Sequence, residues 1–350
     1  MRDLLRYILL PALVGAVIGL GVLAFVNFKP QRTGYADAVR SAAPAVVNIY
    51  TTQRVRPAAC ERPEFQAWCD RMSLGTSERV QSSLGSGVIV RSDGFILTNN
   101  HVVANADEVL VAFHNGQATT ASIIGTDPVT DLAVVKVQAT GLTAIPIGDS
   151  EAVAVGDLAL AIGNPFGLGQ TVSAGIISAK GRIGITASPY SDFLQTDAAI
   201  NLGNSGGALI DVDGQLIGIN TLIFSRSGGS EGIGFAIPVR VAMNVLEHLV
   251  QTGEVVRGWL GLELGGAPAP GENNGLRVNA VLYGGPAYNA GVRVGDVVQS
   301  VDGLLATASV TVSRQIASAD PGQTLRLEIE RAGQSQVLEA VAIERPALQP

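Results

Sequence analysis

Short apolar runs separated by turn-forming residues make up most of this chain, and nearly all of them are too short for an ordinary helix. They occupy residues 46–50, 87–90, 109–113, 132–137, 158–162 and 216–220. Short strands at this spacing favour antiparallel barrels, here two of them. Two stretches differ, because residues 35–45 fit a short helix and residues 238–253 a longer one, with Pro238 near its start and Gly253 near its end. The pattern predicts a mainly β protein.

The N-terminal segment, residues 1–34, has a different character. No charged residue occurs in the 22 positions from Tyr7 to Phe28, close to the roughly 20 that a helix needs to cross a bilayer. We expect one uncleaved transmembrane helix, with the rest of the chain on the far side of the membrane. A cleaved signal peptide is the alternative, because Val22-Leu23-Ala24 provides small residues. The apolar run nevertheless exceeds the usual core of such a peptide.

Composition narrows the function classes. At 350 residues, of which 47% are hydrophobic, the chain is long enough for two folded domains. A formal net charge of −7 argues against a nucleic-acid partner. Two cysteines without a nearby histidine make no credible metal site, and no motif indicates a cofactor. Folded domains with peptide or protein partners fit best.

Both cysteines fall in one segment, residues 53–82, which is rich in Arg, Glu, Pro and Ser. This composition predicts a long exposed loop. Outside the cytoplasm, Cys60 and Cys69 are expected to pair in a disulfide that limits the disorder of the loop. Two free thiols are the alternative.

Three short segments carry a His, an Asp and a Ser in that order along the chain: Asn99-Asn100-His101, Thr130-Asp131-Leu132 and Gly203-Asn204-Ser205. A serine hydroxyl is a weak nucleophile until an imidazole accepts its proton and a carboxylate fixes the imidazole tautomer. This order is that of the chymotrypsin double barrel. Of the other histidines, His114 falls at a predicted hairpin turn and His248 on the predicted helix. We therefore predict a serine protease with His101, Asp131 and Ser205 as its catalytic triad.

Glycines around Ser205 let the chain turn sharply and aim backbone N–H groups at a developing oxyanion. We assign this oxyanion hole to Gly203 and Ser205, with Asn204 as a further candidate. A plain turn is the alternative, since these residue types all favour turns. In a double barrel, the residue six before the nucleophile lies at the base of the specificity pocket. Here it is Ala199, which favours a small aliphatic side chain before the scissile bond. The strand Asn220-Thr221-Leu222 is expected to pair with the substrate backbone.

The C-terminal part resembles a PDZ domain. Residues 284–292 and 295–303 match its signature of helix start, strand and turn. The segment Trp259-Leu260-Gly261-Leu262 is then the loop whose N–H groups capture a peptide carboxylate while the peptide adds a strand to the sheet edge. An ordinary core segment is the alternative interpretation of these residues.

Further motifs together resemble the HtrA family of serine proteases. They are Ser83-Leu84-Gly85-Ser86-Gly87, Leu97-Thr98-Asn99-Asn100-His101-Val102-Val103, Asp131-Leu132-Ala133-Val134, Ile162-Gly163-Asn164-Pro165-Phe166-Gly167 and Gln195-Thr196-Asp197-Ala198-Ala199-Ile200-Asn201. One hydrophobic N-terminal segment and one PDZ domain are similar to the membrane-anchored DegS type of this family. The resemblance implies a homotrimer and activation loops at residues 180–192 and 224–231, with Arg182 relaying the signal. Leu202 departs from the pattern, since relatives often have proline or another residue there.

The resemblance predicts three parts: an anchor with a linker (1–34), a trypsin-like protease domain (35–255) and a PDZ domain with a tail (256–350). It implies a periplasmic protease that is activated by C-terminal peptides of misfolded outer-membrane proteins and cleaves a membrane anti-sigma factor in stress signalling. A general quality-control protease for unfolded proteins is one alternative. A non-catalytic, peptide-sensing scaffold is the other.

Overall fold

The computed structural model describes residues 15–19, 34–55, 79–164, 169–182, 192–201, 203–223, 229–265 and 275–345. Residues 15–19 are helical. Within these described ranges, no helix is both long and apolar enough to cross a membrane. Most of the predicted anchor lies outside the described residues, and so do Cys60 and Cys69. The anchor and the disulfide therefore stay predictions.

A short helix, α1 (Ala36–Ala42), and a 3-10 turn (Ala43–Ala45) precede the first barrel, as residues 35–45 predict. The barrel has six strands: β1 (Val46–Val55), β2 (Arg79–Ile89), β3 (Phe95–Asn99), β4 (Glu108–Ala112), β5 (Ala118–Asp127) and β6 (Leu132–Val137). They close in the order β1-β2-β3-β6-β5-β4, each antiparallel to its neighbours. At Gly87, a Cβ would lie 2.8 Å from both Ile49 and Ile96, so glycine leaves room for these core side chains.

One boundary prediction in this barrel is wrong. The loop expected at residues 53–82 is shorter at both ends, because β1 continues to Val55 and β2 begins at Arg79. Arg54 pairs with Val80 in the same antiparallel register as the rest of the two strands. Backbone pairing extends beyond the apolar run because an antiparallel ladder does not need buried side chains on both faces.

The second barrel also has six strands: β7 (Leu158–Gly163), β8 (Thr171–Arg182), β9 (Phe193–Thr196), β10 (Ala208–Ile210), β11 (Leu216–Ile223) and β12 (Gly234–Pro238). They close in the order β10-β11-β12-β9-β8-β7. Small and branched side chains fill the interior, among them Ala159, Ile177, Leu194 and Leu209. The prediction of two antiparallel barrels is confirmed.

A helix follows the second barrel and contacts both barrels. The one-turn helix α2 (Asn100–Val103) comes earlier in the chain, and α3 (Val239–Thr252) is the helix predicted at residues 238–253. The apolar face of α3 is buried and packs on β11 of the second barrel and on β5 and β6 of the first. Gly253 ends the helix in a left-handed conformation (φ 82°), and its N–H donates to the Leu249 carbonyl.

The C-terminal part is a separate sheet with two helices. Its elements are β13 (Gly258–Trp259), β14 (Leu262–Leu264), β15 (Leu276–Val281), α4 (Pro286–Asn289), β16 (Val297–Val301), β17 (Leu304–Leu305), α5 (Ser309–Ala317), β18 (Thr324–Arg331), β19 (Gln334–Val341) and β20 (Ile343–Glu344). The main sheet has the order β14-β15-β16-β18-β19, with β14 at its edge, and β13 pairs with β20. Its core includes Leu260, Val298, Val312 and Leu327.

A buried ion pair ties this sheet to the turn before β16. Arg331 donates from Nε to Asp296 Oδ1 and from Nη2 to Oδ2, both at 2.7 Å. The Arg293 N–H donates to the same carboxylate at 2.8 Å. Burial raises the pKa of Asp296, but the hydrogen bonds from Arg331 and Arg293 outweigh it and hold this pKa below its usual value.

We predict that Asp296→Asn destabilises the C-terminal part by about 1–3 kcal/mol at pH 7, because buried donors lose a charged acceptor. A lowered pKa contributes stability that is present above the unfolded value of about 3.9 and is lost as pH falls through the folded value. The difference in the free energy of unfolding between Asp296→Asn and wild type should therefore shrink toward pH 3. Thermal unfolding at both pH values tests this, with the exposed Asp320→Asn as the matched control. A pH-independent difference would contradict the assigned ionic origin.

Candidate active site

His101 and Asp131 meet because β3 pairs with β6 and sets Asn99 opposite Leu132. His101 follows β3 in helix α2. Its Nδ1 lies 2.7 Å from Asp131 Oδ2, and its backbone N–H donates to Asp131 Oδ1 at 3.0 Å. An ionised carboxylate only accepts, so the ring proton belongs on Nδ1. Nε2 is then left as the proton acceptor of the ring.

Hydrogen bonds fix both the backbone carbonyl and the carboxylate of Asp131. Its own backbone is left-handed (φ 58°), and its carbonyl accepts hydrogen bonds from Asn99 Nδ2 at 2.9 Å and from the Asn100 N–H at 3.0 Å. The Thr221 hydroxyl donates to Asp131 Oδ2 at 2.7 Å. Burial raises the pKa of Asp131, but the hydrogen bonds and charge of His101 and the hydrogen bond from Thr221 outweigh it and lower this pKa. Asp131 is therefore ionised at neutral pH.

Thr221 reaches the first barrel from a bulge in the second. The pairing of β11 with β12 shifts between Asn220 and Leu222, which leaves Thr221 as an extra residue. A bulge of this kind redirects a side chain, here toward Asp131. From the sequence we expect Thr221 to contact substrate; its side-chain hydrogen bond to Asp131 is not predicted there. Two adjacent polar residues, Asn220 and Thr221, in the otherwise apolar strand β11 were the available signal.

Ser205 lies in the turn before β10, in the second barrel. Its hydroxyl donates to the Thr221 carbonyl at 3.0 Å. In the described part of the chain, no hydrogen bond joins this hydroxyl to His101, so proton transfer between them needs a rotation of the Ser205 side chain. Such a looser arrangement is common in sites without substrate. The three predicted residues thus gather in one place, with Thr221 between Asp131 and Ser205.

The turn around Ser205 leaves two backbone donors available. Gly203 (φ 98°) and Gly206 (φ 82°) have the positive φ that glycine permits. Among the described residues, the N–H groups of Gly203 and Ser205 donate to no acceptor. The Asn204 N–H instead donates to the Asn201 carbonyl at 3.0 Å. Of the three expected oxyanion donors, Gly203 and Ser205 are available here and Asn204 is not.

The expected substrate-binding residues lie in different environments. Ala199 is exposed, and its carbonyl accepts a hydrogen bond from the Ser173 hydroxyl at 2.7 Å. Leu222 is half-buried. Asn220 is fully buried, and its Nδ2 donates to the Ala208 carbonyl at 3.0 Å inside the barrel. The structure therefore gives Asn220 a role in the barrel interior and leaves Ala199 open to solvent.

Other singled-out residues lie away from this cluster. His114 is in the exposed turn between β4 and β5, and His248 is on α3. Arg182 ends β8, where its Nε donates to Gln195 Oε1 at 2.9 Å. The neighbouring residues 183–191 of the expected activation loop lie outside the described residues, as do Leu202 and residues 224–228.

The expected carboxylate loop has the geometry for anion capture. The Leu260 and Gly261 carbonyls face inward and accept hydrogen bonds from Ala287 and Leu282 at 2.9 and 2.7 Å. Within the described residues, the N–H groups of Leu260 and Gly261 donate to no acceptor. Gly261 is left-handed (φ 73°), and a Cβ there would lie 3.0 Å from the Trp259 ring. Leu262 begins the edge strand β14, so a peptide can extend the sheet there.

Comparison with known proteins agrees with this architecture. Residues 85–219 match the family model of the trypsin-like peptidase domain. Residues 258–341 match that of the PDZ domain.

Whole-chain relatives carry both parts. The serine endoprotease DegS of Escherichia coli K12 is 39% identical over 369 residues, covering 98% of each chain. A probable periplasmic serine endoprotease, DegP-like, of Pseudomonas fulva is 41% identical over 91% of this chain and 72% of its own length. The solved HtrA-type protease AlgW with tripeptide has a TM-score of 0.78 and 45% identity, over 89% of this chain and 98% of that one. The solved structure of the serine endoprotease from Yersinia pestis has a TM-score of 0.68 and 42% identity, over 90% of this chain and 99% of that one.

We predict that Asp131→Asn lowers kcat by about 10⁴-fold, because an amide in place of the carboxylate no longer enforces the productive imidazole tautomer. The measurement is turnover of a fluorogenic peptide with a small aliphatic residue before the scissile bond. Thermal unfolding should show that the variant is folded. The exposed Asp213→Asn is the matched control and should keep wild-type activity. A kcat within a few-fold of wild type in Asp131→Asn would contradict the role given to this carboxylate.

Proposed function

This chain belongs to the HtrA family of serine proteases, and from that membership we propose that it is a periplasmic serine endopeptidase activated by peptides at its PDZ domain. The observation that carries the catalytic part is the hydrogen-bonded path from His101 through Asp131 and Thr221 to Ser205. A structural ion pair alone would not bring a serine hydroxyl and two free backbone N–H groups to the same cleft.

In the proposed mechanism, Ser205 attacks the scissile carbonyl while His101 accepts its proton through Nε2. His101 then returns the proton to the leaving amine. Asp131 keeps the ring in the required tautomer and stabilises the imidazolium that forms. The N–H groups of Gly203 and Ser205 stabilise the oxyanion, and water completes the reaction by hydrolysing the acyl-enzyme.

Substrate binding has a direct consequence for Ser205 in this proposal. A substrate strand added beside Thr221 and Leu222 uses the Thr221 carbonyl as a hydrogen-bond acceptor. The same carbonyl accepts from the Ser205 hydroxyl in the present structure. Occupation by substrate therefore releases this hydroxyl to rotate toward His101. Exposed Ala199, without a charge, favours a small aliphatic side chain before the cut bond.

Contacts between the PDZ domain and the barrels support peptide regulation. Arg257 directly precedes β13 and makes a two-pronged ion pair with buried Asp127, donating to Oδ1 at 2.9 Å and contacting Oδ2. Thr130, next to Asp131, donates to the same carboxylate at 2.5 Å. The start of the carboxylate loop is thereby connected to the turn that carries the catalytic carboxylate.

A second contact between the PDZ domain and the barrels involves helix α5. Arg314 of α5 pairs at 2.8 Å with Asp192, the last residue of the expected activation loop and the one just before β9. Arg182, hydrogen-bonded to Gln195 of β9, is our candidate for relaying a change in this loop. A peptide that shifts the PDZ domain acts on both contacts, and it activates only as far as it prefers the active arrangement.

The proposed biological setting is suggested by the resemblance to the membrane-anchored DegS type of the family. We propose that residues 7–28 anchor the protein in the inner membrane with its domains in the periplasm. In this setting, tails of misfolded outer-membrane proteins activate cleavage of a membrane anti-sigma factor. We also propose a homotrimer, for which the exposed pair of Leu158 and Ile176 on neighbouring strands β7 and β8 offers apolar surface. General degradation of unfolded proteins is the second candidate function, and a broad cleavage profile would favour it.

We predict that Ser205→Ala folds normally but loses turnover by several orders of magnitude, because the nucleophile is absent. The wild-type protein should be labelled by a fluorophosphonate at Ser205, and the variant should not. Ser122→Ala, at an exposed serine of β5 in the first barrel, is the control and should label like wild type. Labelling that persists in Ser205→Ala would refute the assignment of the nucleophile, and an unlabelled wild type would favour the scaffold alternative.

We predict that a peptide with a free C-terminal carboxylate and an apolar last residue raises casein cleavage by about 5- to 150-fold, the usual range of allosteric coupling. The amidated peptide should bind far less well, because the N–H groups of Leu260 and Gly261 need an anion. Arg257→Gln should raise basal activity and reduce the peptide response. Arg326→Gln, at an exposed arginine of the same domain, should leave both unchanged. An equal response to both peptides would exclude carboxylate capture as the signal.

A further inference from the structure

Ser86 of β2 makes four hydrogen bonds, two of which reach the turn that carries Ser205. Its side chain is fully buried. Its N–H donates to the Ser205 carbonyl at 2.8 Å, and its hydroxyl donates to the Gly203 carbonyl at 2.6 Å. The same hydroxyl accepts from the Asn164 N–H at 3.0 Å, and the Ser86 carbonyl accepts from the Thr98 hydroxyl at 2.7 Å. Every polar group of Ser86 thus has a defined partner.

The two carbonyls that Ser86 holds belong to Gly203 and Ser205, the residues whose N–H groups we assign to the oxyanion hole. The peptide between Gly203 and Asn204 is fixed at both ends, by the Ser86 hydroxyl at its carbonyl and by the Asn201 carbonyl at its N–H. Gly203 has a positive φ of 98° and no Cβ that would oppose rotation of this peptide. Its orientation therefore depends on hydrogen bonds.

The contact between β2 and the turn is direct. A Cβ at Gly206 would lie 2.1 Å from the Ser86 carbonyl oxygen, and one at Gly85 would lie 3.3 Å from the Ser205 carbonyl oxygen. The backbones touch without an intervening side chain. A substitution at Ser86 therefore acts on the turn directly, through the hydrogen bonds from Ser86 to the Gly203 and Ser205 carbonyls.

We infer that Ser86 is a positioning residue for the oxyanion hole. Its hydroxyl orients the Gly203–Asn204 peptide and links it, through Asn164, to the end of β7. This inference rests on the proposed catalytic role of Ser205. Without the hydroxyl, the buried Gly203 carbonyl and Asn164 N–H lose their partner, and the peptide can rotate away from the geometry that aims the neighbouring N–H groups.

Two substitutions separate orientation from packing. Ser86→Ala removes the hydroxyl, and Ser86→Cys keeps nearly the same volume with only a weak S–H donor. The exposed Ser83→Ala on the same strand is the matched control. Removing one oxyanion donor costs about 10²–10³ in kcat, so loss of a group that positions the donors should cost about 10- to 100-fold. KM for a fluorogenic peptide should stay within about twofold, because ground-state binding does not use the hole.

Two further readouts would not respond to a merely structural role. A peptide aldehyde forms a tetrahedral adduct whose oxygen lies in the hole, and its inhibition constant should rise in both variants by the same factor as kcat/KM falls. Fluorophosphonate labelling of Ser205 should slow in parallel. Thermal unfolding establishes that each variant tested is folded.

Wild-type kcat in Ser86→Ala, or full rescue by Ser86→Cys, would overturn the inference and leave the proposed function standing. A rise in KM alone would overturn it as well, since it would indicate altered substrate binding. Absence of labelling in the wild-type protein would instead refute the proposed function, and the inference with it. Parallel loss of kcat, aldehyde affinity and labelling rate in both variants, with Ser83→Ala unchanged, supports Ser86 as the residue that positions the hole.

Discussion

The Asp131 carboxylate accepts hydrogen bonds from both barrels, from the ring and backbone of His101 in the first and from the Thr221 hydroxyl in the second. A partly buried charge is stable only when such partners surround it. The two barrels must therefore meet at this point closely enough for all three hydrogen bonds to form. Helix α3, which packs on strands of both barrels, helps to keep them in that arrangement.

Backbone contacts then decide where Ser205, the proposed nucleophile, lies. The turn that carries Ser205 rests directly on β2, and glycine at position 206 is required because any Cβ would overlap the Ser86 carbonyl. Such contacts leave little freedom to the main chain but much to the Ser205 side chain. The observed hydrogen bond from Ser205 to Thr221 is one position of this side chain. In the proposed mechanism, substrate binding selects a second position, in which the Ser205 hydroxyl points toward His101.

The PDZ domain is joined to the same region by charge. Asp127 is buried and carries a full charge when ionised, so the ion pair with Arg257 is costly to break. Asp127 lies four residues before Asp131 in the chain. In the proposed activation, a peptide that moves Arg257 changes the environment of the turn that carries Asp131, which is a short physical route.

The sequence by itself determined the main strands of the two barrels and helix α3, because short apolar runs between turn residues form the strands and α3 has a single apolar face. It also determined the identity of the candidate triad, since residue type, chain order and the surrounding glycines point to one chemistry. The register that sets Asn99 beside Leu132, the bulge that turns Thr221 toward Asp131 and the contact of Ser86 with Gly203 were decided only in the tertiary structure. Each of these three features joins residues that are far apart in the chain. Whether such residues meet depends on strand pairing within each barrel and on the packing of the two barrels, and no local sequence pattern encodes either.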